Sequence, residues 1–275
     1  MNGYKLATKC NEHDETSLYW TDGKTVYFRH YAIKGADTET FEQYPGCWAK
    51  DKKHCYSGAT RLQNSDPTTF EVLNFTYAKD KSNVWTMGGR IPDADPSTFE
   101  VCDSGRHSLG PDFEWTPDGQ SPGRQRIWYE SFVPYGYGKD KNHVYYYDFN
   151  GKPVVLKKAA PSSFRSLGDG HFGQDENFVF YGHATIPKAN PATWKKLREG
   201  YYYSRDGNRI YYFNRPIKDA DAETFEVVVV PVATGQPVQY ARDGNHGYSN
   251  DRAITHEELD KEVRERLQEY EQYKQ

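Results

Sequence analysis

The chain has 275 residues, and its 35 basic and 39 acidic side chains give a formal net charge of −4 at pH 7. This balance argues against a nucleic-acid partner, because such proteins concentrate positive charge on one face. Aromatic residues account for 16% of the chain and all hydrophobic residues for only 36%, which excludes a disordered chain and predicts a core built largely from rings.

The first ten residues, MNGYKLATKC, contain no apolar run. We therefore expect neither a signal peptide nor a transmembrane helix, and we predict a cytoplasmic protein without membrane contacts. A periplasmic location is the alternative, if an export signal has been removed from the start of the chain.

The four cysteines, Cys10, Cys47, Cys55 and Cys102, have no C-x-x-C spacing, so zinc is a poor interpretation. A Cys47–Cys55 bridge is conceivable in an oxidising compartment. We favour small buried thiols instead.

One pattern recurs along most of the chain, and residues 77–102, YAKDKSNVWTMGGRIPDADPSTFEVC, show it in full. An aromatic residue precedes a Lys-Asp-Lys turn, strand-forming residues follow, and Ala-Asp-Pro-x-Thr-Phe-Glu-Val closes the repeat. Such regular spacing indicates one supersecondary unit copied in tandem. The turn aspartate and the closing aromatic residue are nineteen positions apart in five repeats: Asp22 and Phe41, Asp51 and Phe70, Asp80 and Phe99, Asp175 and Trp194, and Asp206 and Phe225.

The repeat from Asp140 to Phe164 spans 24 positions and thus has five extra residues. Within each repeat we predict a hairpin, a short strand and a single helical turn. Asp66-Pro67 and Asp95-Pro96 are typical of a helix start, with a capping side chain before a proline at the first helical position.

Two stretches interrupt this pattern. Residues 103–135 resemble a degenerate repeat, because Asp118-Gly119 is followed by strand-forming residues but the closing half is missing. Residues 228–240 form the second interruption, and the last hairpin, around Asp243, has no closing aromatic residue.

A C-terminal helix is predicted from Thr255, whose side chain forms a capping box with Glu258. The apolar stripe of this helix consists of Leu259, Val263, Leu267 and Tyr270. We expect the helix to cap the open end of the array, as repeat proteins require. The alternative is a partner-binding helix.

No catalytic motif stands out, and the recurring aspartates have structural explanations as turn and cap residues. The short Asp-Gly-Asn turns at 206–208 and 243–245 do not continue into a calcium-binding loop. We therefore predict no catalytic residues, no metal and no cofactor. We interpret the many tyrosines as core rings rather than as an exposed row that stacks sugars or bases.

Binding surfaces of repeat proteins lie preferentially where repeats are interrupted, which points to residues 103–135. Tryptophan and arginine are the usual anchors of protein interfaces. The alternative is a loop without a partner. The candidate partner-binding residues are Arg106, His107, Asp112, Glu114, Trp115, Arg124, Arg126 and Trp128.

The runs KDKNHVYY at 139–146, KDKSNVW at 79–85 and IPDADPSTF at 91–99 make the chain similar to the bacterial DKNYY repeat family. The resemblance covers most of residues 18–227. It implies a non-enzymatic binding protein, since some members are thought to be immunity proteins beside type VI secretion or contact-dependent toxins.

Together these features predict an all-β protein of tandem hairpin repeats in an open, elongated array, with a closed propeller as the alternative. The predicted organisation is one repeat-built domain over 1–253, including the insertion at 103–135, and a capping helix over 254–275. We expect an immunity protein that binds a cognate toxin. A surface or periplasmic carbohydrate-binding module is the alternative, and a glycosidase would need two convergent carboxylates that the repeats do not provide.

Overall fold

A computed structural model describes residues 4–5, 19–44, 47–103, 136–168, 170–197, 202–230 and 238–273. They form short β-strands, connecting turns and one helix. The backbone contacts separate the described residues up to 171 from those that follow, so the chain contains two structural units. We describe each of them by itself.

Among the described residues, the first structural unit contains seventeen short strands. They are β1 (Tyr4–Lys5), β2 (Tyr19–Thr21), β3 (Val26–Phe28), β4 (Tyr31–Ala32), β5 (Glu42–Gln43), β6 (Trp48–Lys50), β7 (Cys55–Ser57), β8 (Thr60–Arg61), β9 (Glu71–Val72), β10 (Tyr77–Lys79), β11 (Val84–Thr86), β12 (Gly89–Arg90), β13 (Glu100–Val101), β14 (Gly136–Lys139), β15 (Val144–Tyr147), β16 (Val154–Val155) and β17 (Arg165–Ser166).

The second structural unit contains the remaining strands and the C-terminal helix. They are β18 (Phe172–Gln174), β19 (Val179–Tyr181), β20 (Ala184–Thr185), β21 (Lys195–Lys196), β22 (Tyr203–Asp206), β23 (Arg209–Tyr212), β24 (Arg215–Pro216), β25 (Glu226–Val230), β26 (Val238–Arg242), β27 (Gly247–Ser249), β28 (Arg252–Ile254) and α1 (His256–Tyr273).

The sheets are small and antiparallel, and each is built around one hairpin. In the sheet β9–β10–β11–β12, the turn at Asp80 joins β10 to β11, and β9 comes from the closing half of the preceding repeat. The sheet β2–β3–β4 contains only the hairpin and its third strand. Every sheet among the described residues is open, so the predicted all-β class of tandem hairpin repeats is confirmed.

Each closing half contains one hydrogen-bonded turn, as predicted. In the repeat that begins at Asp51, the backbone N–H of Thr69 donates to the carbonyl oxygen of Asp66 at 3.2 Å. The chain then becomes extended again in β9. The proline after the cap residue favours such a turn, because its fixed φ suits the first helical position.

The repeats on either side of the predicted insertion are direct neighbours. Strands β13 and β14 pair through Glu100 with Lys139 and through Val101 with Gly138. Residues 104–135 therefore join two strands that are adjacent in one sheet. The hairpin that the sequence predicts around Asp118 lies outside the described residues.

The second predicted interruption is partly strand. Strands β25 and β26 pair over five residues, from Glu226 with Arg242 to Val230 with Val238. The run of four valines explains this difference, because β-branched residues favour extended backbone. Residues 231–237 lie outside the part of the chain that the structure describes.

The core consists largely of rings, and closing aromatic residues lie between consecutive repeats. The Phe99 ring centroid is 5.4 Å from that of Tyr77 and 5.9 Å from that of Tyr145 in the next repeat. This confirms the interpretation of the tyrosines as core rings. The tyrosines buried in this way include Tyr19, Tyr56, Tyr77, Tyr137, Tyr145, Tyr203, Tyr211 and Tyr248.

Small residues make room for these rings. A Cβ atom on Gly138 would lie 2.5 Å from the Phe99 ring, closer than two carbon atoms can approach. The first repeat instead has Trp20, which stacks on Tyr27 with ring centroids 4.2 Å apart. Trp20 thus takes the place of the ring that a preceding repeat supplies elsewhere. The equivalent buried positions are Ala49, Ala78, Gly138, Gly173, Ser204 and Ala241.

Helix α1 has the predicted capping box. The Glu258 N–H donates to Thr255 Oγ1 at 3.1 Å, and the Thr255 N–H donates to Glu258 Oε2 at 2.8 Å. Leu259 is only 2% exposed, and a Cβ on Gly247 would lie 2.7 Å from the Leu259 Cβ. Val263 packs against the same cluster as Leu259, whereas Leu267 is 40% exposed. Among the described residues, no helix has the length and apolar character needed to cross a membrane.

Truncation of the two leucines tests how α1 is attached. We expect Leu259→Ala to lower the free energy of unfolding by about 2–4 kcal/mol, because it leaves a cavity against Gly247. The matched change Leu267→Ala should cost well under about 1 kcal/mol, since that side chain is exposed. Chemical denaturation of both variants measures the difference, and equal losses would contradict the packing of α1.

Candidate functional site

The turn aspartates close their own hairpins with one carboxylate oxygen. Asp51 Oδ1 accepts the backbone N–H groups of Lys53 and His54, each at 2.7 Å. A short side chain that accepts from residues two and three positions later is the usual arrangement of an Asx turn. The same pair of bonds occurs at Asp22, Asp80, Asp140, Asp175 and Asp243.

The second oxygen reaches the preceding repeat. Asp51 Oδ2 accepts the backbone N–H of Asp37 at 3.0 Å and the Tyr56 hydroxyl at 2.6 Å. We call this contact between a turn aspartate and the preceding cap residue the inter-repeat joint. The other joints link Asp66 to Asp80, Asp95 to Asp140, Asn190 to Asp206, and Asp221 to Asp243, with N–O distances of 2.7–2.9 Å.

These hydrogen bonds compensate for the burial of the carboxylate, which is only 2% exposed at Asp51. Burial raises the pKa of Asp51, but hydrogen bonds from the Tyr56 hydroxyl and from backbone N–H groups outweigh it. The pKa of Asp51 therefore lies below its ordinary value. A carboxylate with so many donors is a poor proton acceptor at neutral pH.

At Asp37, Asp66 and Asp95, the cap residue also pairs with the second lysine of the motif. The Lys81 ammonium lies 2.9 Å from Asp66 Oδ2, and the Lys81 N–H donates to Thr69 Oγ1 at 3.2 Å. Hydrogen bonds from the Thr68 hydroxyl and from Lys81 lower the pKa of Asp66. The lysine side chain is mostly exposed, so its ion pair contributes little beside the buried aspartate.

The first lysine of the motif caps its own repeat. Lys79 Nζ donates to the carbonyl oxygens of Pro96 at 3.2 Å and Phe99 at 3.5 Å. These carbonyls lie in and just after the single turn, where they have few backbone partners. Lys50, Lys139 and Arg205 donate to the corresponding turn carbonyls of their own repeats.

Polar groups of buried aromatic side chains form a second set of hydrogen bonds between repeats. The Tyr77 hydroxyl donates to the Gly136 carbonyl at 2.8 Å, and the Tyr137 hydroxyl donates to the His171 carbonyl at 2.8 Å. Burial raises the pKa of Tyr77 well above its ordinary value, so this phenol remains a neutral donor. The Trp48 Nε1–H reaches the Phe75 carbonyl at 3.2 Å in the same way.

The motif residues thus support the framework. Their carboxylates and tyrosine hydroxyl groups are distributed over successive repeats. Among the described residues, no group of three or more His, Cys, Asp and Glu side chains is placed to hold a metal ion. Cys47 and Cys55 are buried free thiols, and burial raises the pKa of Cys55 to about 12.

The structure places the base of the predicted interaction segment but not its candidate residues. Asp103 Oδ2 accepts the Tyr137 N–H at 2.7 Å, the Asn74 side-chain amide donates to the Asp103 carbonyl at 3.0 Å, and the Ser166 hydroxyl donates to Asp103 Oδ1. Both ends of the segment are therefore fixed in buried backbone. All the candidate partner-binding residues lie outside the described ranges: Arg106, His107, Asp112, Glu114, Trp115, Arg124, Arg126 and Trp128.

Sequence reasoning missed the second role of the turn aspartate. The sequence contained a signal for this role, because the cap residue and the next turn aspartate are fourteen positions apart in two cases. These are Asp37 with Asp51 and Asp66 with Asp80. The distance from Asp95 to Asp140 is 45 positions, since the insertion separates them.

The fold and its joints define a protein built from tandem, interlocked β-hairpin repeats. The family model for the DKNYY family matches residues 48–215, which is more than half of the chain. The chain belongs to the DKNYY family. Searches of curated proteins and of solved structures returned no match.

Removal of a joint aspartate tests its contribution. We expect Asp51→Ala to lower the free energy of unfolding by about 2–4 kcal/mol, because the buried Tyr56 hydroxyl and the backbone N–H groups of Asp37, Lys53 and His54 lose their acceptor. Asp22→Ala is the matched control, since the exposed Asp22 makes the same turn bonds and, among the described residues, accepts no N–H from a preceding repeat. The control should lose clearly less stability in urea denaturation. Equal losses would contradict an energetic role for the joint.

Acid should weaken the joints. The pKa values of Asp51, Asp140 and Asp243 are lower in the folded chain than is usual, because their hydrogen bonds outweigh burial. Their contribution to stability is complete above the unfolded-state pKa of about 4 and is lost as the pH falls below it. Urea midpoints measured from pH 7 to pH 3 should stay level above about pH 5 and then fall. A midpoint that rises on acidification would contradict this prediction.

Proposed function

We propose that the protein is an immunity protein that neutralises a cognate bacterial toxin by direct binding. The family resemblance implies such a role for some members, and the described framework is suited to it. The observation that carries the proposal is the buried base of the 104–135 segment, at Asp103 and Tyr137. A segment fixed at both ends loses less conformational entropy when it binds a partner.

The proposed mode of action requires no chemistry on the immunity protein. The joint aspartates accept several hydrogen bonds each, and the buried phenols donate to carbonyl groups of the framework. Binding would instead block the toxin by covering its surface. Trp115, Trp128 and the neighbouring arginines of the inserted segment are the proposed anchors.

Co-expression with the toxin encoded beside the gene tests this function. We expect the wild-type chain to protect cells and to form a complex that co-elutes in size-exclusion chromatography. The double variant Trp115→Ala/Trp128→Ala should weaken binding at least about tenfold, since tryptophans are frequent hot spots. Tyr31→Ala is a matched control, because this exposed ring lies on the first repeat rather than on the insertion.

The outcomes separate the proposal from its alternatives. No complex and no protection would overturn it. Expression of the chain with and without an export signal shows in which compartment protection occurs. The carbohydrate-binding alternative has less support, because most described tyrosines are buried. Binding of the wild-type chain on a glycan array, without binding of the toxin, would favour that alternative.

A further inference from the structure

In four of the described sheets, the first strand places a glutamate directly opposite the basic residue that precedes the turn aspartate. Glu71 faces Lys79 between β9 and β10, and Glu100 faces Lys139 between β13 and β14. These facing residues are also ion pairs, with N–O distances of 3.9 Å and 3.3 Å. Opposite charges at facing positions stabilise a sheet. The other two pairs are Glu42 with Lys50 and Glu226 with Arg242.

The sheet that begins with β21 has a like-charge pair at this place. Lys195 takes the position of the glutamate and lies directly opposite Arg205 in β22. Like charges at facing positions destabilise a sheet. Lys195 is exposed, and it makes no ion pair with any residue that the structure describes. The stability of the sheet therefore does not explain a lysine at this position.

Arg205 is held beside Lys195 by hydrogen bonds of its own. Its guanidinium donates to the Ala222 carbonyl oxygen at 2.6 Å, as the motif lysines do in other repeats. The adjacent carboxylate of Asp221 accepts the Glu223 N–H at 3.0 Å within its own turn. Within the described part of the chain, neither of these two acids forms an ion pair with Arg205. The positive charges of Lys195 and Arg205 thus remain uncompensated.

The inter-repeat joint of this hairpin also lacks an exposed acid. Its cap residue is Asn190 rather than an aspartate, and Gly207 stands where three other joints have a lysine that pairs with the cap aspartate. Asp206 is buried and accepts the Asn190 N–H at 2.9 Å and the Thr193 hydroxyl at 2.5 Å. The carboxylate of Asp206 is therefore engaged inside the joint.

Arg209 extends the positive charge across the same joint. It precedes Tyr211 by two positions, so both side chains lie on one face of β23. The Tyr211 hydroxyl donates to the Pro187 carbonyl at 3.0 Å, which brings the exposed Lys188 close to the exposed Arg209. Burial raises the pKa of Tyr211, and the nearby charge of Arg209 opposes this shift. Among the residues described, Lys188 and Arg209 form no ion pair.

The surface around this hairpin is consequently basic, although the whole chain has a net charge of −4. Arg215 pairs with Asp251 at 3.2 Å, and Lys196 lies over the Phe172 ring. Four other residues keep their charge without an acidic partner, and we call them the basic surface: Lys188, Lys195, Arg205 and Arg209. Within the described ranges 187–197 and 202–215, the one acidic residue is the buried Asp206.

We propose that the basic surface binds carboxylate groups of a protein partner. The inference rests on the proposed function, which names the toxin as that partner, and it adds an acidic patch to what the toxin must present. Guanidinium groups match carboxylates in shape and charge, and such complementary charges give an interface specificity. A nucleic acid fits this surface less well, because single strands also need exposed rings for stacking, whereas Tyr203 and Tyr211 are buried.

The variant Lys195→Glu separates binding from stability. It creates the facing Glu–Arg pair that other sheets have, so we expect the melting temperature to rise by about 1–3 °C. It also reverses a charge of the basic surface, so affinity for the purified toxin encoded beside the gene should fall at least about tenfold by calorimetry. Wild-type affinity should fall between about 50 and about 300 mM salt, and the variant should show a smaller decrease.

Two further variants are matched controls. Lys34→Glu makes the same change of charge at an exposed lysine of the first repeat, and it should leave the affinity unchanged. Glu71→Lys makes the opposite exchange at the equivalent position, where it creates a like-charge pair with Lys79. This control should lower the melting temperature by about 1–3 °C and leave the affinity of the folded protein unchanged.

Each result supports or overturns a distinct statement. If the wild-type chain binds and Lys195→Glu binds equally well, the basic surface is overturned and the proposed function stands. If the wild-type chain does not bind the toxin, both are overturned. Equal losses of affinity in Lys195→Glu and Lys34→Glu would reduce the effect to net charge, and a lower melting temperature for Lys195→Glu would show that Lys195 supports the fold. Wild-type binding of a labelled single-stranded DNA, lost in Lys195→Glu, would replace the protein partner by a nucleic acid.

Discussion

The two-sided hydrogen bonding of the turn aspartate is the interaction on which this structure depends. One oxygen of Asp51 closes its own hairpin, and the other binds the backbone of Asp37 in the preceding repeat. A buried carboxylate is costly unless donors surround it, and each joint aspartate takes its donors from two repeats and so links them.

Side-chain packing between repeats distinguishes the ends of the repeat series from its interior. Interior repeats have a small residue, such as Gly138, where the closing ring of the preceding repeat lies. At the first repeat Trp20 covers this surface by stacking on Tyr27, and at the last repeat Leu259 of α1 packs over Gly247. Covered ends limit unwanted association of stacked β-structure.

The joints occupy only one end of a sheet. At β14 and β15, the turn that carries Asp140 occupies one end of the hairpin, and the joint uses its polar groups. At the other end, the chain leaves the sheet after β13 and again after β15, where the loop 148–153 begins. Loops at this second end can change without disturbing the joints, as loops on rigid scaffolds commonly do.

The nineteen-residue spacing predicted the hairpin repeats and their single turns, Thr255 and Glu258 predicted the capping box, and the aromatic content predicted the ring-based core, because local hydrogen bonds and strand propensity act over a few residues. None of these patterns revealed that Asp140 joins Asp95 across 45 positions, or that Leu267 stays exposed while Leu259 is buried. These properties depend on which repeat lies beside which surface, and only the tertiary structure decides that.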